Sequence, residues 1–423
     1  MPESTVKHLV ISSGGPAGHM MYSILRTLNL KEVWNIKDIK SIYGSSIGSY
    51  LAIIVALRYD WEVMDDYLIK RPWEKIFNVS SSSSSGSSSS GSGSGSGSSS
   101  GSANDSSDHS AASSSIADAK NKMEHVLKLY NTHGLYGLKE FTETLRPALQ
   151  GKDISTNITM KEFYDRTGIE LHFMTTEVNK FQLVDINYKT HPNHSLVEAC
   201  YMSCCYPFGF SPIYRDGCCY LDGGIMNEYP VDECIRDQKC GVSEILGVKM
   251  LWEKKPSNLT EKSSLLQFIY TFFNQINSNF YKNKQTTPIP NEVVCVSKVF
   301  AIQDWMNWIK DENYRRELVL RGESFANVFL SYRRNFRDSA AAALPDNTPI
   351  DAVISQPPAP AAAAVLEPSL QNEITDVLAN IQDEGTDEKA DEVTDEKADE
   401  SEASATNNTI QYEIHNNEST TMM

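Results

Sequence analysis

An α/β fold, with a mostly parallel central sheet and helices on both faces, is predicted by three features of this 423-residue chain. Short, nearly continuous apolar runs recur at His8 to Ser12, Ser41 to Gly44, Glu170 to Thr175, Phe181 to Asp185, Cys218 to Leu221, Ile245 to Met250 and Val293 to Val296. Stretches with helical apolar spacing, such as Gly48 to Tyr59 and Gly137 to Leu149, lie between them. Strands covered on both faces read as unbroken apolar runs, and parallel neighbours need a crossover that is usually helical. Third, glycine-rich turns follow the first, second and fifth runs, and in open α/β sheets reactive groups collect at such carboxyl ends.

The first run leads into Ser13-Gly14-Gly15-Pro16-Ala17-Gly18 and then the periodic apolar residues Met20, Met21, Ile24, Leu25 and Leu28. This is a strand, a tight turn and a helix start, where N–H groups without helical partners can face an anion. The oxyanion of acyl transfer is such an anion, which makes Gly14 and Gly15 candidate donors. His19 sits beside this loop and is expected to cap or to face solvent.

The second run passes into Ile42-Tyr43-Gly44-Ser45-Ser46-Ile47-Gly48, the Gly-x-Ser-x-Gly pattern of a nucleophile elbow. A serine on so sharp a turn needs neighbours without side chains, the role of Gly44 and Gly48. Ser46 is the candidate nucleophile, and Ser45 and Ser49 flank it. The fifth run ends in Tyr220-Leu221-Asp222-Gly223-Gly224, a carboxylate at a strand end followed by two glycines. Asp216-Gly217 reads as a hairpin turn. After Asp222 the next histidine is His415, in a polar acidic stretch. A hydrolase triad ordered Ser, Asp/Glu, His therefore has no evident base, and Asp222 is read as the direct partner of Ser46.

Late helices are expected at Glu261 to Tyr281 and Asp311 to Arg337. Phe268, Phe272, Phe273 and Phe280 share a helical face, expected to be core. Trp305 and Trp308 are expected as core or rim packing.

In the glycine-rich loop, the elbow and the Asp-Gly-Gly segment, in that order, the chain resembles the patatin-like phospholipase family. Ala199 and Ser203 leading to Pro207, Phe208 and Pro212, and then Asn227 and Pro230, agree as well, so that the resemblance spans roughly residues 6 to 300 around one insertion. It implies a three-layer α/β/α patatin-like fold and a Ser46/Asp222 dyad with oxyanion donors at Gly14 and Gly15. Gly18, Gly44, Gly48, Gly223 and Gly224 are its motif glycines. The implied activity is lipid acyl hydrolysis of the phospholipase A type, through an acyl-enzyme and without metal or cofactor. The family's loop usually reads Gly-Gly-Gly-x-Arg/Lys-Gly, where this chain has Ser13 and Ala17; the departure puts the cation's contribution in question. A second reading is a catalytically weak module that binds lipid or a partner, with its tail as the interaction element.

Composition divides the rest. From Asp338 onward there are nineteen acidic residues and two lysines, so this tail carries the whole −17 of the chain and residues 1–337 are near neutral. A neutral globular part without a basic cluster argues against nucleic acid. The tail holds the tandem repeat Thr386 to Val393 and Thr394 to Glu400 and is expected to be disordered, as is the Ser/Gly-rich insertion 80–115. The expected division is therefore 1–79, 80–115, 116–337 and 338–423. Eight cysteines without a Cys-x-x-Cys pair are expected as reduced, mostly buried thiols rather than a metal site. With no secretory leader or membrane-length apolar stretch, a cytoplasmic enzyme touching membranes peripherally is expected.

Overall fold

The computed structural model describes residues 6–77, 127–253, 259–281 and 286–343. The insertion 80–115, His125, Lys254 and Lys255, and the tail beyond residue 343 lie outside the described residues. The described residues form ten strands: β1 (His8–Ile11), β2 (Ser41–Ser45), β3 (Gly134–Tyr136), β4 (Glu170–Glu177), β5 (Gln182–Ile186), β6 (Phe208–Phe210), β7 (Ile213–Arg215), β8 (Cys218–Asp222), β9 (Ile245–Glu253) and β10 (Asn291–Lys298). Eight form the central sheet, in the order β10-β9-β1-β2-β4-β8-β7 with β5 also on β4, while β3 and β6 pair separately. The run β10-β9-β1-β2-β4 is parallel throughout. All seven runs read from the sequence are strands. The three not foreseen, β3, β6 and β7, are three residues each, too short to show a period.

Val10 and Tyr43 turn to one face, where they pack with Met174, Val231 and Cys234 beneath the Val231–Gln238 helix. Leu9, Ile11 and Ile42 alternate to the other face, also fully buried, on the side of α2 (Ile47–Ala56) and the Leu196–Cys204 helix. Two covered faces explain why the runs Leu9 to Ile11 and Ile42 to Tyr43 are apolar without alternation. The helix α1 (Gly18–Leu30) packs along the final helix, Glu312–Ala343. Gly322 of that helix lies directly on the Met20 backbone, where any Cβ would overlap it. The final helix runs past residue 337 to Ala343, through alanines of the highest helix propensity.

The edge of the sheet positions the site. Residues 170–174 of β4 pair with β2, and residues 175–177 pair with β8 in the opposite direction. Since β5 takes the other edge of β4 at residues 173–177, β2 and β8 lie on the same edge and meet head to head. Ser45 is opposite Met174, and Asp222 is opposite Thr175. The carboxylate thus arrives on an antiparallel strand, delivered by the β7–β8 hairpin, whose turn is Asp216 (φ 51°) and Gly217 (φ 75°). Positive φ at both central turn residues matches the strand twist of a two-residue hairpin.

One expectation about the late helices needs correction, and one helix was not foreseen. Phe268, Phe272 and Phe280 are half exposed on the Leu265–Tyr281 helix rather than in the core. A further helix, Ile302–Lys310, carries Trp305 and Trp308 inward.

Candidate active site

Ser46 occupies the turn between β2 and α2 with φ 55° and ψ −126°, a conformation costly for a side-chain-bearing residue and sustained only where the surroundings impose it. The imposition is visible. A Cβ on Gly48 would collide with the Ile11 carbonyl, and one on Gly44 would meet the Gly48 carbonyl carbon at 2.5 Å, so α2 starts flush against both strands. Ser46 O accepts from Ser49 N–H at 2.8 Å and from Cys204 Sγ at 2.9 Å.

The Ser46 hydroxyl donates to Asp222 Oδ2 at 2.5 Å. Oδ1 of the same carboxylate accepts the Gly224 N–H at 2.7 Å, which fixes its plane. Burial pushes the Asp222 carboxyl up to about 7, although both hydrogen bonds pull the other way. A carboxyl so placed is a stronger base than an ordinary aspartate and is poised near neutral pH.

The glycine-rich loop closes over the elbow. Gly15 (φ 52°) begins a short turn into α1, and Gly18 packs so tightly on Ile47 that a Cβ would overlap it. The Gly14 and Gly15 positions thus precede a helix whose first N–H groups have no helical partners. A Cβ on Gly15 would strike the ring of Trp305, at 2.6 Å, so that indole roofs the loop. Gly224 lies against Ser13, where a Cβ would sit 2.9 Å from the serine Cβ. Gly223 presses on the Met174 carbonyl and leaves Ser45 Oγ, fully buried, beneath it. The loop, the elbow and the acid segment are therefore in mutual contact.

A group not singled out as functional from the sequence is Ser203, fully buried on the Leu196–Cys204 helix. Its Oγ accepts the Ser46 N–H at 3.0 Å, donates to Met174 O at 2.5 Å and contacts Ser49 Oγ at 2.8 Å. With its one proton committed to a carbonyl, the Ser49 hydroxyl must be the donor, and all three valences of Ser203 are used. The family-like small-residue pattern around it was the available signal; the bond to the elbow was not. Tyr206 and Trp305 were likewise missed, because their neighbours come from distant segments.

Among the described histidines none bonds Ser46 or Asp222. His8 pairs with Ser41, His133 with Tyr214, His172 with Asp185 and His191 with Thr190. His19 neither caps nor faces solvent. It is buried, its Nε2 is 3.1 Å from Leu68 O, and its Nδ1 receives the Trp308 indole N–H at 3.0 Å. Since indole only donates and a carbonyl only accepts, the ring is neutral with its proton on Nε2. Burial, aided by the Arg315 charge and opposed by the Leu68 bond, holds its pKa down to about 4.

His172, Asp185 and Asp237 bring ligand-type atoms within 4.8 Å of one another. His172 Nδ1 is already 2.7 Å from Asp185 Oδ2, and its ring stacks on Tyr43 at 3.9 Å, tying β4 to β5 and β2. Tyr43 precedes Ser46 by three residues, roughly 10 Å along a strand, so this group stands apart from the dyad. All eight cysteines are unpaired thiols.

The family model for the patatin-like phospholipase matches residues 9–235. The chain belongs to the patatin-like phospholipase family. A similar curated protein is the probable lipid hydrolase 463L of Invertebrate iridescent virus 6, 30% identical over 106 residues; that match takes in 25% of this chain and 37% of the viral protein. Among solved structures, VipD from Legionella pneumophila is 14% identical with a TM-score of 0.36, covering 74% of this chain and 67% of its own. ExoU of Pseudomonas aeruginosa, in its complex with SpcU, is 14% identical with a TM-score of 0.32, over 91% of this chain and 61% of the other. At such scores the fold assignment rests on the sheet itself.

Within the family pattern, the two departures have structural addresses. Ser13 sends its N–H to Glu228 O at 2.8 Å and fills the contact with Gly224. Ala17, in place of the basic residue, is fully buried, so the side chain at that position is packed into the core. Among the described residues no helix is long and apolar enough to cross a membrane.

Proposed function

We propose that the protein hydrolyses carboxylic esters of lipids, as a phospholipase A type acyl hydrolase, with Ser46 as nucleophile and Asp222 as its base. The observation that carries this reading is the 2.5 Å hydrogen bond between Ser46 Oγ, on a strained elbow, and a buried carboxylate whose pKa stands near 7. Family membership and the likeness to a viral probable lipid hydrolase support the lipid-ester class.

In this mechanism Ser46 Oγ attacks the ester carbonyl while its proton passes to Asp222 Oδ2. The carbonyl oxygen becomes an oxyanion facing the N–H groups of Gly14 and Gly15. Collapse breaks the bond to the alcohol, which leaves with the proton returned by Asp222, and the acyl group stays on Ser46. Water then attacks the acyl-enzyme, giving its proton to Asp222, and the acid departs as Ser46 regains its hydrogen. All acid-base and electrostatic roles fall to protein groups, so hydrolysis should persist in excess chelator.

The test is labelling by a fluorophosphonate together with hydrolysis of a short-chain soluble ester. Wild type should react in both assays, and Ser46→Ala in neither, with an unchanged fold. Ser45→Ala should remain active. Full activity in Ser46→Ala would overturn the assignment. The second reading, a weak lipid-binding module, is favoured by one feature, the buried Ala17 where the family carries a cation. Wild type that binds lipid but neither labels nor hydrolyses would establish it.

A further inference from the structure

The Leu265–Tyr281 helix has seventeen residues and no charged side chain among them. Its inner side is bound to the protein near the dyad. Tyr270 donates to Phe300 O at 2.6 Å, and Asn274 Oδ1 accepts the Tyr206 hydroxyl at 2.7 Å. Tyr206 stacks on Trp305, the residue that roofs Gly15, and follows Cys205, whose carbonyl accepts the Asp222 N–H at 3.2 Å. One tyrosine thus joins this helix to the glycine loop and to the acid.

The outer side is apolar and open. Leu265, Phe268, Phe272, Ile276 and Phe280 are 74%, 51%, 57%, 53% and 50% exposed, at successive spacings that place them in one line down the helix. The rings of Phe268 and Phe272 lie parallel, 6.2 Å apart. An exposed apolar stripe of this length is a mark of an interaction surface.

Two arguments choose the occupant. Half-exposed side chains of this size offer roughly 100 Å² each, on the order of 500 Å² in all, below the about 800 Å² per partner of a stable protein interface. The charge also points to a lipid surface. In sequence, residues 254–284 hold five lysines and one acid, Glu261, in a chain whose net charge is −17. An apolar face in a locally basic segment suits the headgroup and acyl boundary of an anionic membrane.

We infer that the Leu265–Tyr281 helix is the face by which this protein docks on anionic phospholipid surfaces, inserting Leu265, Phe268, Phe272 and Ile276 on a helix that Tyr206 ties to the glycine loop and the acid segment. The inference rests on the proposed lipid-ester activity for what the site receives; the binding itself stands or falls separately.

The test uses the full chain and a Phe268→Ser/Phe272→Ser variant, in flotation with vesicles of equal parts phosphatidylcholine and phosphatidylglycerol, and with phosphatidylcholine alone. Wild type should bind the anionic vesicles more tightly, the preference shrinking with salt, and the variant should bind them at least tenfold more weakly. Both proteins should hydrolyse a soluble short-chain ester equally. As a second readout, Phe272→Trp should show fluorescence quenching by vesicles of acyl-brominated phospholipid beyond that of wild type. Unchanged vesicle affinity in the double variant, or absence of the added quenching, overturns the inference, as does a wild-type dimer lost in the variant without any vesicle binding. A wild type that binds vesicles through this face but cleaves no soluble ester supports docking while refuting the hydrolase reading.

Discussion

Ser203 Oγ receives the N–H of Ser46 at 3.0 Å, so a side chain from a helix 157 residues downstream holds the nucleophile's strained backbone. Replacing it by alanine leaves the Ser46 N–H and the Met174 carbonyl without this partner in a fully buried place. The expected cost is about 1–3 kcal/mol of stability, measured by urea unfolding. As a positioning residue it should lower kcat on a soluble ester about tenfold or more with KM nearly unchanged; an equal loss confined to KM would remove the positioning role.

Asp222→Asn keeps the shape of the side chain and the bond to Gly224 but cannot take a proton. Turnover should fall on the order of 10² to 10⁴, the range for general acid-base catalysis. Substituting glutamine at His8, His19, His133, His172, His191 or His194 should cost less than this in kcat. A loss as large at any one histidine, with Asp222→Asn near wild type, would identify that ring as the base.

The pKa near 7 fixes the direction of two pH effects. Asp222 accepts a proton only when ionised, so kcat/KM should rise with pH through about 7 and level above it. Stability moves the other way. Between the ordinary aspartate value of 3.8 and about 7 the folded chain holds a proton that the unfolded chain has released, so stability falls as pH rises across that window. The span corresponds to about 4 kcal/mol. Asp222→Asn removes this term; its Tm should exceed that of wild type at pH 8 and lose the advantage toward pH 4.

Gly48→Ala places a methyl group on the Ile11 and Ser12 carbonyl oxygens, at the buried end of β1. We expect loss of about 3 kcal/mol or more, or failure to fold. Gly168→Ala makes a control: its φ is 70° but open space surrounds it, so only backbone strain of about 1–2 kcal/mol should appear. Similar thermal shifts for the two would mean that packing at the elbow is looser than described.

Much of this protein could be read before folding. Apolar runs at His8 to Ser12, Ser41 to Gly44 and Ile245 to Met250 announced buried parallel strands, since a strand covered on both faces is mostly apolar without alternation. Glycines 44, 48 and 223 announced close backbone approach, because a Cβ is excluded wherever segments touch main chain to main chain, and glycines 14, 15, 18 and 224 announced places where a neighbouring side chain takes the room of a Cβ. Both signals are local, carried by a few consecutive residues.

What folding decided depends on contacts between distant segments. No pattern in Cys218 to Asp222 says that β8 runs against β4 and meets β2 end to end, yet that arrangement brings Asp222 to Ser46. The pKa of Asp222 follows from the burial that results. The phenylalanines of the Leu265–Tyr281 helix show the limit most directly: periodicity revealed that they share a face, but the same period serves a core and a surface stripe. Only the tertiary structure, by spending Tyr270 and Asn274 on the inner side, turned Phe268 and Phe272 outward.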